Sequence, residues 1–207
     1  MGFGNTHFAY FKDECIRRYG QVDGMRIFRR ADEMLERMTA DITPETTQVI
    51  RNHMTGNMLP TIAMYLALKE NETTMQKAYD ETLVIVQIAA NKAKEKNSRL
   101  KKLPFTFQIF KLFCKYITSK QYPDEGWNIV WRRYDSNEIH VDFTSCIYLD
   151  TCVKYGCPEV CPVFCANDDT TFAGYSPKII FERSSTLARG QHLCDFHFIN
   201  GKAKKNA

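Results

Sequence analysis

Six of the eight cysteines, Cys146, Cys152, Cys157, Cys161, Cys165 and Cys194, follow residue 140. With the histidines and carboxylates around them they offer three kinds of chemistry. The first is proton transfer. His140, Asp142, Thr144 and Cys146 alternate along one stretch, and Asp195 and His197 along another. Alternate residues of a strand share a face, so two imidazoles and two carboxylates converge if these strands present their polar sides together. The competing reading is the water-facing side of an antiparallel sheet. The second is thiolate ligation. Cys157-x3-Cys161-x3-Cys165 places three thiols along one helical face, which suits zinc or an iron–sulfur centre. Structural zinc usually takes cysteine pairs from separate loops, however, and Pro162 interrupts the helix. Free cysteine is also a common core residue. The third is nucleophilic attack by Cys165, with Asp168 and Asp169 nearby. Carboxylates alone raise a thiol's pKa, so this needs a histidine, and His53, His140, His192 and His197 are equivalent candidates on sequence grounds.

The elements that must position these groups fall into two runs. Phe8, Phe11, Cys15 and Ile16 have helical spacing up to Gly20, a natural stop. Val22, Met25, Phe28, Met34, Leu35 and Met38 mark a second helix. Thr43-Pro44 offers a helix start, Asn57–Pro60 opens an apolar helix over Thr61–Leu68, and Thr73 and Thr74 cap a long helix running to about Lys96. Pro104 leads into an aromatic helix with Phe105, Phe107, Ile109, Phe110, Phe113 and Tyr116. After the turn Tyr122-Pro123-Asp124-Glu125-Gly126 the period becomes two. Trp127, Ile129 and Trp131 alternate with polar neighbours, as do Ile139, Val141, Phe143, Ser145 and Ile147, and Asp135-Ser136-Asn137 makes the hairpin turn. Leu149–Asn167 reads as helix broken at Gly156-Cys157-Pro158. Strands follow near Lys178–Arg183 and His192–Ile199, joined by a turn containing Gly190, and the tail Gly201–Ala207 reads as loose. Helices followed by strands predict an α+β fold, an N-terminal helical half packed on a C-terminal antiparallel sheet. A single domain over 1–207 is expected, helical to about 122 and sheet-containing over about 123–200.

Composition narrows the classes. The 207 residues are 44% hydrophobic and 25% charged, an ordinary globular balance that argues against disorder and coiled coil. No apolar run approaches the roughly 20 residues of a membrane span, and the start has no basic end leading into an apolar block, so a cytoplasmic protein with no membrane partner is expected. The fit of Met1-Gly2 and Thr6 to a myristoylation pattern is loose, and the sequon Asn71-Glu72-Thr73 is irrelevant without secretion. Lys92, Lys94, Lys96, Arg99, Lys101 and Lys102 against Glu95 make a basic run. Without interleaved aromatics it reads as a solvated helix end, and no nucleic-acid partner is expected. The eight cysteines suit reduced thiols. Phosphate-loop, dinucleotide, zincin and nucleophile-elbow motifs are all missing.

Three stretches resemble a known family. Phe164-Cys165-Ala166-Asn167-Asp168, Phe181-Glu182-Arg183-Ser184-Ser185-Thr186-Leu187-Ala188-Arg189-Gly190 and Cys194-Asp195-Phe196-His197-Phe198 are similar to the C-terminal signature of the L-2-amino-thiazoline-4-carboxylic acid hydrolases. Asn57–Tyr65 resembles that family's helical half. The resemblance runs from about Arg51 to Phe198. It implies a hydrolase that opens a 2-aminothiazoline ring to an N-carbamoyl cysteine. That chemistry needs a base, donors for developing charge and a cation for the substrate carboxylate. Carried over by motif, Asp168, Asp195 and Cys165, with His140 added from the strand pattern, are the expected catalytic residues. Arg183, as carboxylate clamp, with His197 and Cys194 are the expected substrate contacts, and Gly190 serves a turn. No metal ligand is assigned, no cofactor is required by the sequence, and the expected partner is a small-molecule substrate. The oligomeric state is left open. His197 stands where the family often has Arg or Lys, and Cys152, Cys157 and Cys161 are additions to the signature. The alternatives are a non-catalytic small-ligand or sensory module of the same fold, and a thiol-metal protein.

Overall fold

The structure, a computed structural model, describes residues 2–72 and 74–203. The expected cap Thr73, Met1 of the lipidation pattern and residues 204–207 of the tail lie outside the described residues. Five helices come first: α1 (Phe11–Ala40), α2 (Gln48–His53), α3 (Leu59–Asn71), α4 (Met75–Leu100) and α5 (Thr106–Gln121). Strands β1 (Ile129–Tyr134) and β2 (Glu138–Phe143) follow, then α6 (Ile147–Lys154) and α7 (Pro162–Ala173), then β3 (Ile179–Glu182) and β4 (Cys194–Asn200). The fold is α+β, helices first and an antiparallel sheet after them. By contact, residues up to Ala89 with Thr151–Val163 form one compact unit, and Ala90–Asp150 with residues from Phe164 onward form another.

In the helical unit, Gly20 has φ 77 and ψ 173 and breaks α1 into two runs. The second run buries Gly24, Ile27, Ala31, Leu35 and Met38. Of the expected stripe, Leu35 and Met38 are buried, Met25, Phe28 and Met34 are half-buried, and Val22 is 81% exposed. The crossing of the two runs sets the rotation: a Cβ at Gly24 would stand 2.5 Å from the Cys15 carbonyl oxygen, so only glycine fits and the buried face starts there. Thr43-Pro44 forms a turn rather than a helix start, with the Thr43 and Thr46 hydroxyls 3.0 Å apart. Helix α2 passes through a single π turn (Met54–Met58) into α3, which buries nearly every residue from Leu59 to Leu68. Helix α4 begins as expected with a threonine cap, Thr74 Oγ1 accepting the Lys77 N–H at 3.2 Å.

The second unit carries the sheet, in the order β1-β2-β4-β3 with every pair antiparallel. Its register aligns His140 with His197, Asp142 with Asp195 and Val141 with Phe196. One face is apolar: Ile139, Ile179 and Phe198 with Phe107 of α5 form the core, ringed by Phe110, Trp131, Phe172, Phe181 and Phe196. The other face carries the polar alternates. β2 stops at Phe143 instead of running to Ile147, because the Ser145 hydroxyl accepts the Asn128 N–H at 2.7 Å and the Ile147 N–H reaches the Gly126 carbonyl at 2.9 Å, turning the chain into α6. Thr144 and Cys146 therefore fall off the strand face expected for them. The basic run is the end of α4, and it fastens the end of α7. Asn97, Ser98 and Lys101 donate to the carbonyls of Thr171, Gly174 and Ser176 at 3.0, 3.3 and 3.3 Å, satisfying backbone acceptors that a helix terminus leaves open. Gly174 permits the approach, since a Cβ there would lie 2.4 Å from the Lys94 carbonyl oxygen.

Candidate active site

Helix α7 starts at Pro162 and holds Cys165, Asp168, Asp169 and Phe172 at spacings of three and four, so they share one side of the helix. Phe172 packs on the apolar sheet face, 4.9 Å from the ring centre of Phe181 and 5.0 Å from that of Phe198. Arg183 follows the end of β3, two residues after Phe181 and therefore on the same face. Its side chain is only 4% exposed. One terminal nitrogen donates to Asp168 Oδ2 at 3.1 Å; the other donates to Asp169 Oδ1 and to the Cys165 carbonyl, both at 2.6 Å. Phe181 and Phe196 pack against the guanidinium, with ring centres 5.5 and 5.1 Å away. Burial pulls against this charge, but the two carboxylates outweigh it and hold Arg183 above its ordinary pKa.

Asp168 is half-buried by area but deeply recessed, and burial pushes its carboxyl up to about 6 against the pull of Arg183. A carboxylate near 6 is mostly ionised at neutral pH and is a stronger base than an ordinary aspartate. Tyr122, at the end of α5, lies in the same recess: burial raises its phenol first, and the charges of Asp168 and Cys146 raise it further. A cavity of about 380 Å³ runs between α5 and the sheet, walled by Phe110, Phe113, Val141, Phe143, Phe172 and Phe196; of Asp168 and Tyr122, it is Tyr122 that lines it.

The opposite sheet face holds a separate polar array. Arg132 Nε donates to Asp142 Oδ2 at 2.6 Å, and His140 Nε2 lies 3.2 Å from Asp142 Oδ1 without an aligned bond. The His140 and His197 rings are 4.8 Å apart, and His197 Nε2 stands 3.0 Å from Glu138 Oε2, also unaligned. Asp195 is on this face as well. It accepts the Ser184 N–H at 3.0 Å, the Ser184 hydroxyl at 2.6 Å and the Ser185 N–H at 2.6 Å. Burial works the other way, yet these donors keep its carboxyl below the usual range. Cys194 points to the apolar side, its sulfur accepting the Leu187 N–H at 3.2 Å. Gly190 closes the intervening turn with φ 77.

The structure thus brings Asp168, Arg183 and the Cys165 backbone together, and separates them from His140, Asp195 and His197 by the thickness of the sheet. The expected catalytic residues Asp168 and Asp195 are parted from each other by strand alternation: Arg183, which holds Asp168, shares the parity of Phe181, whereas Asp195 and His197 have the opposite parity to Phe196. Arg183's guanidinium is taken up by protein acceptors, which suits holding Asp168 in place better than clamping a substrate carboxylate. Tyr122 and the cavity were missed because a residue read as part of a turn gives no sign of the recess it enters. The expected trio Cys157, Cys161 and Cys165 is also redrawn. Gly156 turns the chain, and in the helical unit Cys152 is joined by hydrogen bonds to Cys157 and Cys161, which together with burial push its thiol far up. Among the described residues, no three His, Cys, Asp or Glu side chains are grouped to hold a metal ion.

Residues 51–198 match the family described as L-2-amino-thiazoline-4-carboxylic acid hydrolase. The chain belongs to that family. All of α7, β3 and β4 up to Phe198 lies within the match, so the Asp168–Arg183 pair is part of the family's L-2-amino-thiazoline-4-carboxylic acid hydrolase region rather than of an appended segment. Membership supports a hydrolase-like function. No curated protein and no solved structure matches the chain. Among the described residues no helix is long and apolar enough to cross a membrane.

Proposed function

We propose that this protein is a small-molecule hydrolase that adds water to the ring carbon of a 2-aminothiazoline-4-carboxylate-type substrate. That carbon lies between nitrogen and sulfur, and its hydration opens the ring to an N-carbamoyl cysteine. The observation that carries the reading is the recessed Asp168 carboxylate, held by a buried guanidinium one helical turn from Phe172, which lines a cavity, in a chain of this hydrolase family.

Asp168 takes a proton from water as the oxygen attacks the ring carbon, and passes it to the ring nitrogen, which receives the displaced C–N π electrons. The tetrahedral carbon then re-forms a carbonyl as the C–S bond breaks, and Asp168 takes the hydroxyl proton and delivers it to the leaving sulfur, which departs as a thiol. One water is consumed and no oxidant or reductant is needed. Arg183 is a positioning residue: with one nitrogen on Asp168 and the other on Asp169 and the Cys165 carbonyl, it fixes where the base points. Incubation with 2-aminothiazoline-4-carboxylate should release thiol in step with protein concentration, and Asp168→Asn should lose that activity. Absence of thiol above the uncatalysed rate refutes the reading. The second reading, a ligand-binding module without catalysis, draws on the carbon-rich cavity wall. It predicts saturable binding with no turnover.

A further inference from the structure

The cavity beneath α5 has its own logic, read from the residues that fail to fill it. The inward stripe of that helix runs Phe107, Phe110, Cys114, Thr118, Gln121 at spacings of three and four. Its first members are large and plug the core: Phe107 is buried and Phe110 packs on Phe198 with ring centres 5.0 Å apart. The next two are small, and opposite them stand Val141 and Phe143 of β2. The space beneath α5 is a hollow of about 380 Å³ that runs from Leu100 and Leu103, ahead of the helix, to Tyr122 at its end. That volume is within the range of small-molecule sites, and its wall is predominantly carbon.

Two contacts tie this hollow to the polar pair. Phe172, which lines it, is one helical turn beyond Asp168 on the same side of α7, and Phe196, which also lines it, is the ring on which the Arg183 guanidinium rests. Tyr122 stands at the junction, lining the hollow and sensing the charge of Asp168. A bare 2-aminothiazoline carboxylate, small and polar, satisfies the Asp168 end and leaves the carbon wall facing water.

We infer that the hollow between α5 and the sheet is a second subsite, and that the substrate is amphiphilic: a cyclic amidine head held at Asp168, carrying an alkyl or aryl body that fills the space beside Cys114, Thr118 and Val141. This rests on the hydrolase reading for the chemistry of the head, and on the cavity alone for the body. Binding of 2-aminothiazoline-4-carboxylate is compared by calorimetry with binding of its 5-hexyl and 5-phenyl derivatives, and turnover of each is followed by thiol release. Each methylene taken out of water contributes about a fourfold gain, so the hexyl compound should bind at least 100-fold more tightly than the parent. Cys114→Trp, checked for native folding by circular dichroism, should cut that preference at least tenfold. Affinities equal within threefold overturn the subsite, as does a preference undiminished in folded Cys114→Trp. If the derivatives bind tightly but nothing is hydrolysed, the subsite stands and the hydrolase reading falls. If the parent is hydrolysed and the derivatives gain nothing, the subsite falls and the hydrolase stands.

Discussion

Asp168 carries opposite consequences for activity and for stability. As a base it works only when ionised, so kcat/KM should rise with pH through about 6 and level off above it. A pH–rate profile flat between 5 and 7.5 removes it from the mechanism. Asp168→Asn should lower kcat/KM by about 10²- to 10⁴-fold, the usual range for a general base. Folding has the reverse sign. The folded-state pKa lies above the unfolded value, so Asp168's favourable contribution is complete below about pH 4 and is lost as pH rises through about 6. Asp168→Asn should therefore flatten the pH dependence of the melting temperature over that window. Arg183 is different in kind. Removing the buried guanidinium leaves Asp168, Asp169 and the Cys165 carbonyl without their shared donor, and Arg183→Met should cost about 1–3 kcal/mol in denaturant unfolding, because both carboxylates remain partly open to water. Arg183→Lys should not restore the wild-type value, because an ammonium lacks the planar fork that reaches Asp168, Asp169 and a carbonyl together.

At the scale of elements, the ends of helices and strands carry the predictions. Asp195 gathers the Ser184 and Ser185 N–H groups where the chain leaves β3. Asp195→Ala should cost about 0.5–1.5 kcal/mol, since the Ser184 and Ser185 donors lose their acceptor but remain open or partly open to water. Its carboxyl lies below the usual range, so its contribution is present above about pH 4 and fades as pH falls below that. Gly174→Ala forces a Cβ onto the Lys94 carbonyl and should cost about 1–3 kcal/mol of overpacking. The elements themselves were largely legible, because periods of 3.6 and 2 are written in apolar spacing: α5, β3 and β4 fall close to the ranges the pattern marks. What the pattern missed were ends and rotations fixed by tertiary contacts. The stop of β2 at Phe143 depends on the Ser145 hydroxyl meeting Asn128, and the rotation of α1 depends on Gly24 meeting Cys15, and neither partner is visible from local spacing.

Across the sheet-bearing unit, the sequence showed that polar residues share strand faces and that a family signature joins Asp168, Arg183 and Asp195. It did not show that these three are divided between the two faces, because which strands pair, and in what register, is set by tertiary contacts that local alternation does not reveal. The division makes a sharp test. Substitution on either face assigns an inflection near pH 6 to its owner. His140→Gln should leave that inflection in place and change kcat less than threefold, whereas Asp168→Asn should abolish it; the opposite pattern moves the chemistry to the outer face. The cysteine arrangement has a practical consequence of its own. Cys15, Cys152, Cys157, Cys161 and Cys194 are buried, whereas Cys114, Cys146 and Cys165 are half-buried. A maleimide or disulfide reagent added to the native chain should meet at most three sulfurs promptly and the remaining five only as the fold opens. The prompt phase sets the background that any product-thiol assay must subtract, and the slow phase clocks the breathing of the interior.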